Sequence, residues 1–279
     1  MYNITLPATG PKLSYYNAYV GYFRSILDYN HVPYSLDGCI NVGEVVFPTA
    51  TKFLMKFNNK KVVIDFSDNV AHMPDWEKFD AHFKFHYTRS IQGDCKTIYP
   101  FAPISFYDWE QYNKLQKVIH YSCNNNVVLN MQRPGGNALE RRNKVRKILN
   151  NKYGKDAILQ PKDTQEDYWK RINNCLVHVF VPGCRNNMLD RGHAQYLAFG
   201  CCTISPRITD ELPYDGILIP GVHYIMCKDD YSDLLPIIEW CKKHRDECRQ
   251  IGSNAKELFK NSCSPEKLWE WIIQKVVVL

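Results

Sequence analysis

The chain has 279 residues with 45% hydrophobic and 13% aromatic content, enough apolar material for two domain cores and too much for a disordered polypeptide. No apolar run is long enough to predict a membrane-spanning helix, and the first ten residues lack the basic and apolar regions of a secretory leader, so the sequence predicts a soluble, cytoplasmic protein. Eleven scattered cysteines fit reduced thiols, and a net charge of +6 admits anionic ligands without implying nucleic-acid binding.

In chain order, a strand is predicted from Tyr2 to Leu6, then a Pro-Gly loop and a helix from Ser14 to Asp28 with apolar residues at helical spacing. Lys61 to Phe66 reads as a strand ending in Ser67-Asp68-Asn69, and His82 to Tyr87 alternates as another. The proline-interrupted stretch from Pro100 to Tyr107 reads as loop, followed by a helix to His120. The Asn124-Asn125-Asn126 run marks a boundary between residues 1–123 and 124–279.

Beyond it, strands at Val127–Asn130, Ile158–Leu159 and Leu176–Val181 alternate with helices over Glu140–Asn150 and Thr164–Asn174. That rhythm predicts a parallel, doubly wound α/β sheet. Pro182-Gly183 then ends a strand, a helix runs through His193 and Gln195 to Phe199, and Gly200 stops it. Tyr231 to Asn261 reads as helical and Ser264 to Val276 as a final helix.

Two loops have the composition of an anion site. Arg185 and Arg191 flank the start of the helix after Pro182-Gly183, where orphan N–H groups, the helix dipole and guanidinium forks all favour a diphosphate. Gln132 to Arg142 adds Gly135-Gly136, which let backbone approach a phosphate, with Arg133, Arg141 and Arg142 to neutralise it. The plainer alternative is a βα turn with surface arginines. The loop matches neither the GxGxxG fingerprint nor a P-loop.

The segment QYLAFGC followed by TISPR resembles the small-residue helix and following strand in the C-terminal domain of GT-B glycosyltransferases. Downstream, GVHYIMCKDDYSDL and IEWCKKHRDECRQIGSNAKELF are similar to the end of the capsule-associated xylosyltransferase and protein O-glucosyltransferase family, and more loosely to exostosin-like enzymes. The likeness covers roughly Asn126 to Trp271, about half the chain. It implies a GT-B fold, two Rossmann-like domains facing a cleft. Residues 1–123 would bind the acceptor and 124–279 the nucleotide sugar, with the last helix crossing back to the first domain.

The implied activity is inverting, metal-independent transfer of a sugar, xylose in preference, from a UDP-sugar to a hydroxyl of an oligosaccharide or glycoprotein glycan. Lack of a leader is similar to the xylosyltransferases that large algal DNA viruses encode for capsid glycans, which would act in host cytoplasm. Gln195 stands where most GT-B enzymes have the Glu that binds the donor ribose, so an amide replaces a charge there. UDP-glucose transfer and a non-catalytic glycan-binding protein are the alternatives.

No isolated Asp-x-Asp occurs, so no metal and no resident cofactor are expected, and leaving-group charge falls to the arginines. An inverting transferase needs one carboxylate base. Asp68, at a strand's carboxyl edge, is the first candidate, with Asp75 and Asp80 behind it; an Asx-turn is the plainer role for Asp68. Asp65 lies inside the strand, and His72 is a weaker base. Tyr15, Tyr16, Tyr19, Trp76 and Trp109 could stack on sugars or serve the core. His82 and His86 lack a third partner for zinc.

Overall fold

The computed structural model describes residues 2–8, 14–37, 40–42, 45–47, 51–71, 75–93, 95–102, 108–154, 157–158 and 164–277. His72 lies outside them, as do the side chains of Tyr15 and Tyr16. Contacts divide the chain into two units. The first comprises Met1–Tyr112, Glu211–Gly216 and Ser262–Leu279, and the second Asn113–Asp210 and Ile217–Asn261.

The first unit contains β1 (Ile4–Pro7), α1 (Ser14–Tyr29), β2 (Ser35–Asp37), β3 (Ile40–Val42), β4 (Val45–Phe47), β5 (Lys52–Phe57), β6 (Lys60–Asp65), β7 (Ala81–Lys84), α2 (Arg89–Gln92) and β8 (Ile98–Pro100). Helix α3 (Trp109–Gln116) leads out of it. Its main sheet runs β2-β1-β5-β6-β7-β8 and is mixed: β5 pairs antiparallel with β1 and β6, and the remaining pairs are parallel. This corrects the expectation of two Rossmann-like domains, because an antiparallel hairpin interrupts the parallel order here. The hairpin turns on Asn58-Asn59, with Asn58 at φ 53°, the left-handed conformation that two-residue turns favour and asparagine tolerates.

Phe66 sits at the centre of this core, stacked on Tyr19 at 4.8 Å and edge-on to Phe101 at 6.1 Å. Trp109 is buried too, donating from Nε1 to Ser25 Oγ at 3.0 Å. Tyr19 and Trp109 are therefore core rings and not sugar platforms.

The second unit contains β9 (Val128–Leu129), α4 (Leu139–Tyr153), β10 (Ala157–Ile158), α5 (Gln165–Asn173), β11 (Val177–Val179), α6 (Arg191–Phe199) and β12 (Thr203–Ser205). The chain then passes through the Glu211–Gly216 segment of the first unit, which carries β13 (Glu211–Leu212) and the start of its pairing partner β14 (Gly216–Ile217), before β15 (Ile225–Met226), α7 (Leu234–Lys243) and α8 (Arg245–Cys263). The last helix, α9 (Pro265–Val277), packs on α1 within the first unit, where Asn30 Nδ2 donates to the Pro265 carbonyl at 3.0 Å.

The second sheet is wholly parallel in the order β10-β9-β11-β12-β15, as the alternating pattern predicts. Alternation along β11 explains why both faces are covered. Val177 and Val179 join the cluster of Val145, Leu149, Ile238 and Ile251 from α4, α7 and α8. His178 points the other way and stacks on Tyr196 of α6 at 3.6 Å. Neither ring nitrogen of His178 has a hydrogen-bond partner among the described residues, whereas His193 Nε2 meets Thr203 Oγ1 at 3.0 Å. Burial holds both rings below the usual histidine range, His193 at about 3.

The helical segment expected over Tyr231–Asn261 consists of two helices, α7 ending at Lys243 and α8 starting at Arg245, with His244 between them. Gly200 ends α6 at φ 73°, as expected of a left-handed C-cap. A Cβ on Gly252 of α8 would fall 1.9 Å from the Gly200 carbonyl oxygen, so this close approach admits only glycine.

Asp65 is the most heavily engaged ionic group of the first unit. Its Oδ2 meets Lys84 Nζ at 3.0 Å, His82 Nε2 at 3.2 Å and Lys52 Nζ at 3.4 Å, and Oδ1 accepts from the Ser67 N–H at 2.8 Å. Burial alone would raise its pKa, but the His82 hydrogen bond and the Lys84 and Lys52 charges outweigh it and hold the carboxyl below the usual range. The His82 pKa is lowered too, because burial outweighs the hydrogen bond and charge of Asp65, and the ring is neutral at pH 7. Asp65 therefore stabilises the fold fully above the unfolded carboxyl value of about 3.9, and that contribution drains as pH falls below it. Asp65→Asn is expected to cost about 3–5 kcal/mol, the scale for breaking a buried pair from one side. Urea titrations of both proteins at pH 7 measure it, and repetition at pH 3 should shrink the difference.

Candidate functional site

In order of appearance, the strands of the second sheet read 2-1-3-4-5, so the chain leaves β9 toward opposite sides on its two next returns. Open α/β sheets form their ligand crevice at such a switch point, outside the carboxyl ends of the strands. Here that crevice lies between the loops following β9 and β11.

Side chains from the first loop continue the ladder beyond the strand ends. Asn130 Nδ2 donates to the Val179 carbonyl at 2.8 Å. Gln132 donates from Nε2 to the Val181 carbonyl at 2.8 Å and accepts the Val181 N–H on Oε1. Both side chains are buried, so these bonds form the crevice floor.

The arginines divide into two groups. Arg142 is largely spent on structure: Nε and Nη2 both donate to the Val181 carbonyl at 3.2 Å, Nη1 to the Arg133 carbonyl at 2.6 Å, and Nη2 lies 3.5 Å from Asp190. Arg141 Nη2 reaches the Pro182 and Gly183 carbonyls at 3.1 and 3.0 Å, while its buried Nε has no hydrogen-bond partner among the described residues. Arg133 and Arg185 are exposed at the two loop tips, and Arg191 is half-buried at the start of α6. Arg133 and Gly135 thus lie in the segment after β9, Arg141 and Arg142 in the first turn of α4, Arg185 in the segment after β11 and Arg191 at the start of α6.

The two helix starts at this crevice differ. Asp190 caps α6, accepting from Gly192 N at 2.9 Å and His193 N at 3.3 Å, so a carboxylate already occupies that N-terminus. Burial raises the Asp190 pKa against the opposing pull of Arg142 and the two amides. By contrast, the turn at Gly136–Ala138 and the start of α4 have no side-chain cap, and Gly136 adopts φ 52°. An uncapped helix start suits an anion better than one already occupied by a carboxylate. Gln132 and Asp190 were not singled out from sequence as site residues. The signal for Asp190 was present, since an aspartate directly before a helix is a standard N-cap.

Gln195 lies in α6, nearly buried, with Oε1 accepting from Trp169 Nε1 at 2.7 Å. Its carbonyl oxygen thereby joins the core between α5 and α6.

In the first unit the three candidate carboxylates are dispersed. Asp68 follows β6 at its carboxyl edge, two-thirds exposed, with Oδ1 3.6 Å from Nε2 of the buried His86. Asp75 precedes a short 3₁₀ turn in left-handed conformation and pairs with Lys78 at 3.2 Å. Asp80 lies at the opposite edge of the parallel β6–β7 pair, accepting from Lys61 N at 2.7 Å. His86 lies beyond β7, which ends at Lys84, so it does not share a strand with His82. Among the described residues no group of three or more His, Cys, Asp or Glu is arranged to hold a metal ion, and no helix is long and apolar enough to cross a membrane.

No family model matches the chain. It is 26% identical over 149 residues to "Uncharacterized protein 179R" of Invertebrate iridescent virus 6, covering 48% of this chain and 12% of that protein. It is 34% identical over 55 residues to "Uncharacterized protein 035R" of Invertebrate iridescent virus 3, covering 20% of this chain and 5% of that protein. The chain therefore spans only a small part of the curated relatives it matches. Among solved structures it is similar to TarM, with 12% identity and a TM-score of 0.47, over 72% of this chain and 44% of that one.

Proposed function

We propose that the second unit binds the diphosphate of a UDP-sugar and that the chain is a metal-independent glycosyltransferase of the GT-B type. The observation carrying this reading is the uncapped glycine turn at Gly135-Gly136, set at the switch point of a parallel sheet beside Arg133 and Arg141. A diphosphate there would receive backbone N–H groups, a helix dipole and guanidinium charge together, and the same groups would stabilise the departing UDP. The sequence resemblance between Asn126 and Trp271 supports the same reading. The finer assignments are an inverting displacement, xylose as the sugar, a glycan hydroxyl as acceptor and a role in capsid-glycan synthesis. Asp68 is assigned the base; its Oδ1 lies 3.6 Å from Nε2 of His86 at the carboxyl edge of β6.

A second reading, a glycan-binding protein without transfer activity, is favoured by Gln195. The residue in the ribose-binding position has its carbonyl oxygen taken by Trp169 and lacks a charge.

Calorimetric titration separates these readings. UDP is expected to bind, with or without EDTA, and UDP-xylose more tightly than UDP-glucose. Arg133→Ala and Arg185→Ala should each weaken UDP by about 1.5–3 kcal/mol, the scale of a charge-assisted hydrogen bond. Unchanged affinity in both variants overturns the donor site. For the base, Asp68→Asn should leave UDP affinity intact while transfer falls by about 10²- to 10⁴-fold. NMR of the product should find the anomeric configuration opposite to the donor's; retention refutes the single displacement.

A further inference from the structure

The first unit contains a second concavity of about 450 Å³ along edge strand β8, beneath α9. Its lining combines aromatic rings with ammonium groups. Tyr214 lies 4.9 Å from Trp271, and Tyr99 meets the same indole edge-on at 6.4 Å. Lys275 Nζ sits 4.2 Å over Trp271 and 5.5 Å over Tyr99. Arg89 is engaged by Asp215 and Glu211, but neither Lys96 nor Lys275 has a carboxylate partner among the described residues. The lining thus holds three cations against one carboxylate, Asp215.

We infer that this concavity binds an acidic saccharide, with sugar C–H faces on the Tyr99 and Tyr214 rings and a carboxylate or phosphate held between Lys96 and Lys275. Aromatic faces suit the apolar side of a pyranose and the electron-rich rings attract the Lys275 ammonium, while the two ammonium groups leave a need for an anion. Burial pushes the phenols of Tyr87, Tyr99 and Tyr214 up, the last to about 12, so each keeps its proton and can donate to a sugar oxygen. Tyr87 directly follows His86, the partner of Asp68, so the concavity is reached from the same chain segment that meets the assigned base. Only its role as an acceptor subsite rests on the transferase reading; the binding itself rests on this lining.

The test is a titration of the full chain with a hyaluronan tetrasaccharide, which alternates glucuronic acid with N-acetylglucosamine, and with the neutral chitotetraose. The acidic sugar is expected to bind at least about tenfold more tightly, by charge-assisted contacts. The double variant Lys96→Gln/Lys275→Gln should remove that preference without changing the affinity for chitotetraose or for UDP, the latter also reporting that the protein is folded. Equal affinity for the two sugars, binding of neither, or an undiminished preference in the double variant overturns the proposal. UDP bound normally with neither sugar bound overturns this site and leaves the donor reading. Sugar bound without UDP does the reverse.

Discussion

The pairing of Gln132 with the backbone of Val181 is the contact on which the second unit's crevice depends. Parallel strands β9 and β11 stop at Leu129 and Val179, and their loops would otherwise diverge. A side-chain amide presents an N–H donor beside a carbonyl acceptor, as the backbone does, so it can substitute for a strand residue and extend the ladder. Arg142 adds two donors to the same carbonyl and a third to Arg133. The outcome is that the segments following β9 and β11 are tied to each other by side-chain hydrogen bonds beyond the ends of the strands.

Magnitudes decide which groups around the crevice floor could govern an anion. A helix dipole is worth about 0.3–1 kcal/mol at an exposed terminus, and a cap about 1 kcal/mol. Charge-assisted hydrogen bonds are worth about 1.5–3 kcal/mol each. The arginines therefore outweigh the helix starts. Asp190 further weakens the claim of α6, because an incoming phosphate would have to share its first turn with a carboxylate.

How much was legible follows from the range of the interactions. Helix α5 could be read from its start because capping is local, and Thr164 Oγ1 does accept from Asp167 N at 3.1 Å. The parallel sheet of the second unit was legible because alternating βα units leave a repeated pattern. The first unit was read less well. Strand β5 carries no alternation to mark it, because Phe53-Leu54-Met55 are all buried. Which arginines stay available was not legible either. Arg141 and Arg142 are adjacent and chemically alike, yet only the tertiary position of Val181 determines that Arg142 closes on it.

The neutral histidines of the second unit set a limit on where the chain can remain folded. His178 and His193 are pressed into an apolar layer between β11, α6 and β12, with no acid beside either ring to reward protonation. An unfolded histidine takes up its proton near pH 6.5, and these two cannot follow without opening the layer. Below that value each protonation withheld by the native state subtracts from stability, and the loss continues until the depressed native value is reached. A cellular compartment acidified toward pH 5 would thus draw on both rings at once, making the parallel sheet itself an acid-sensitive element.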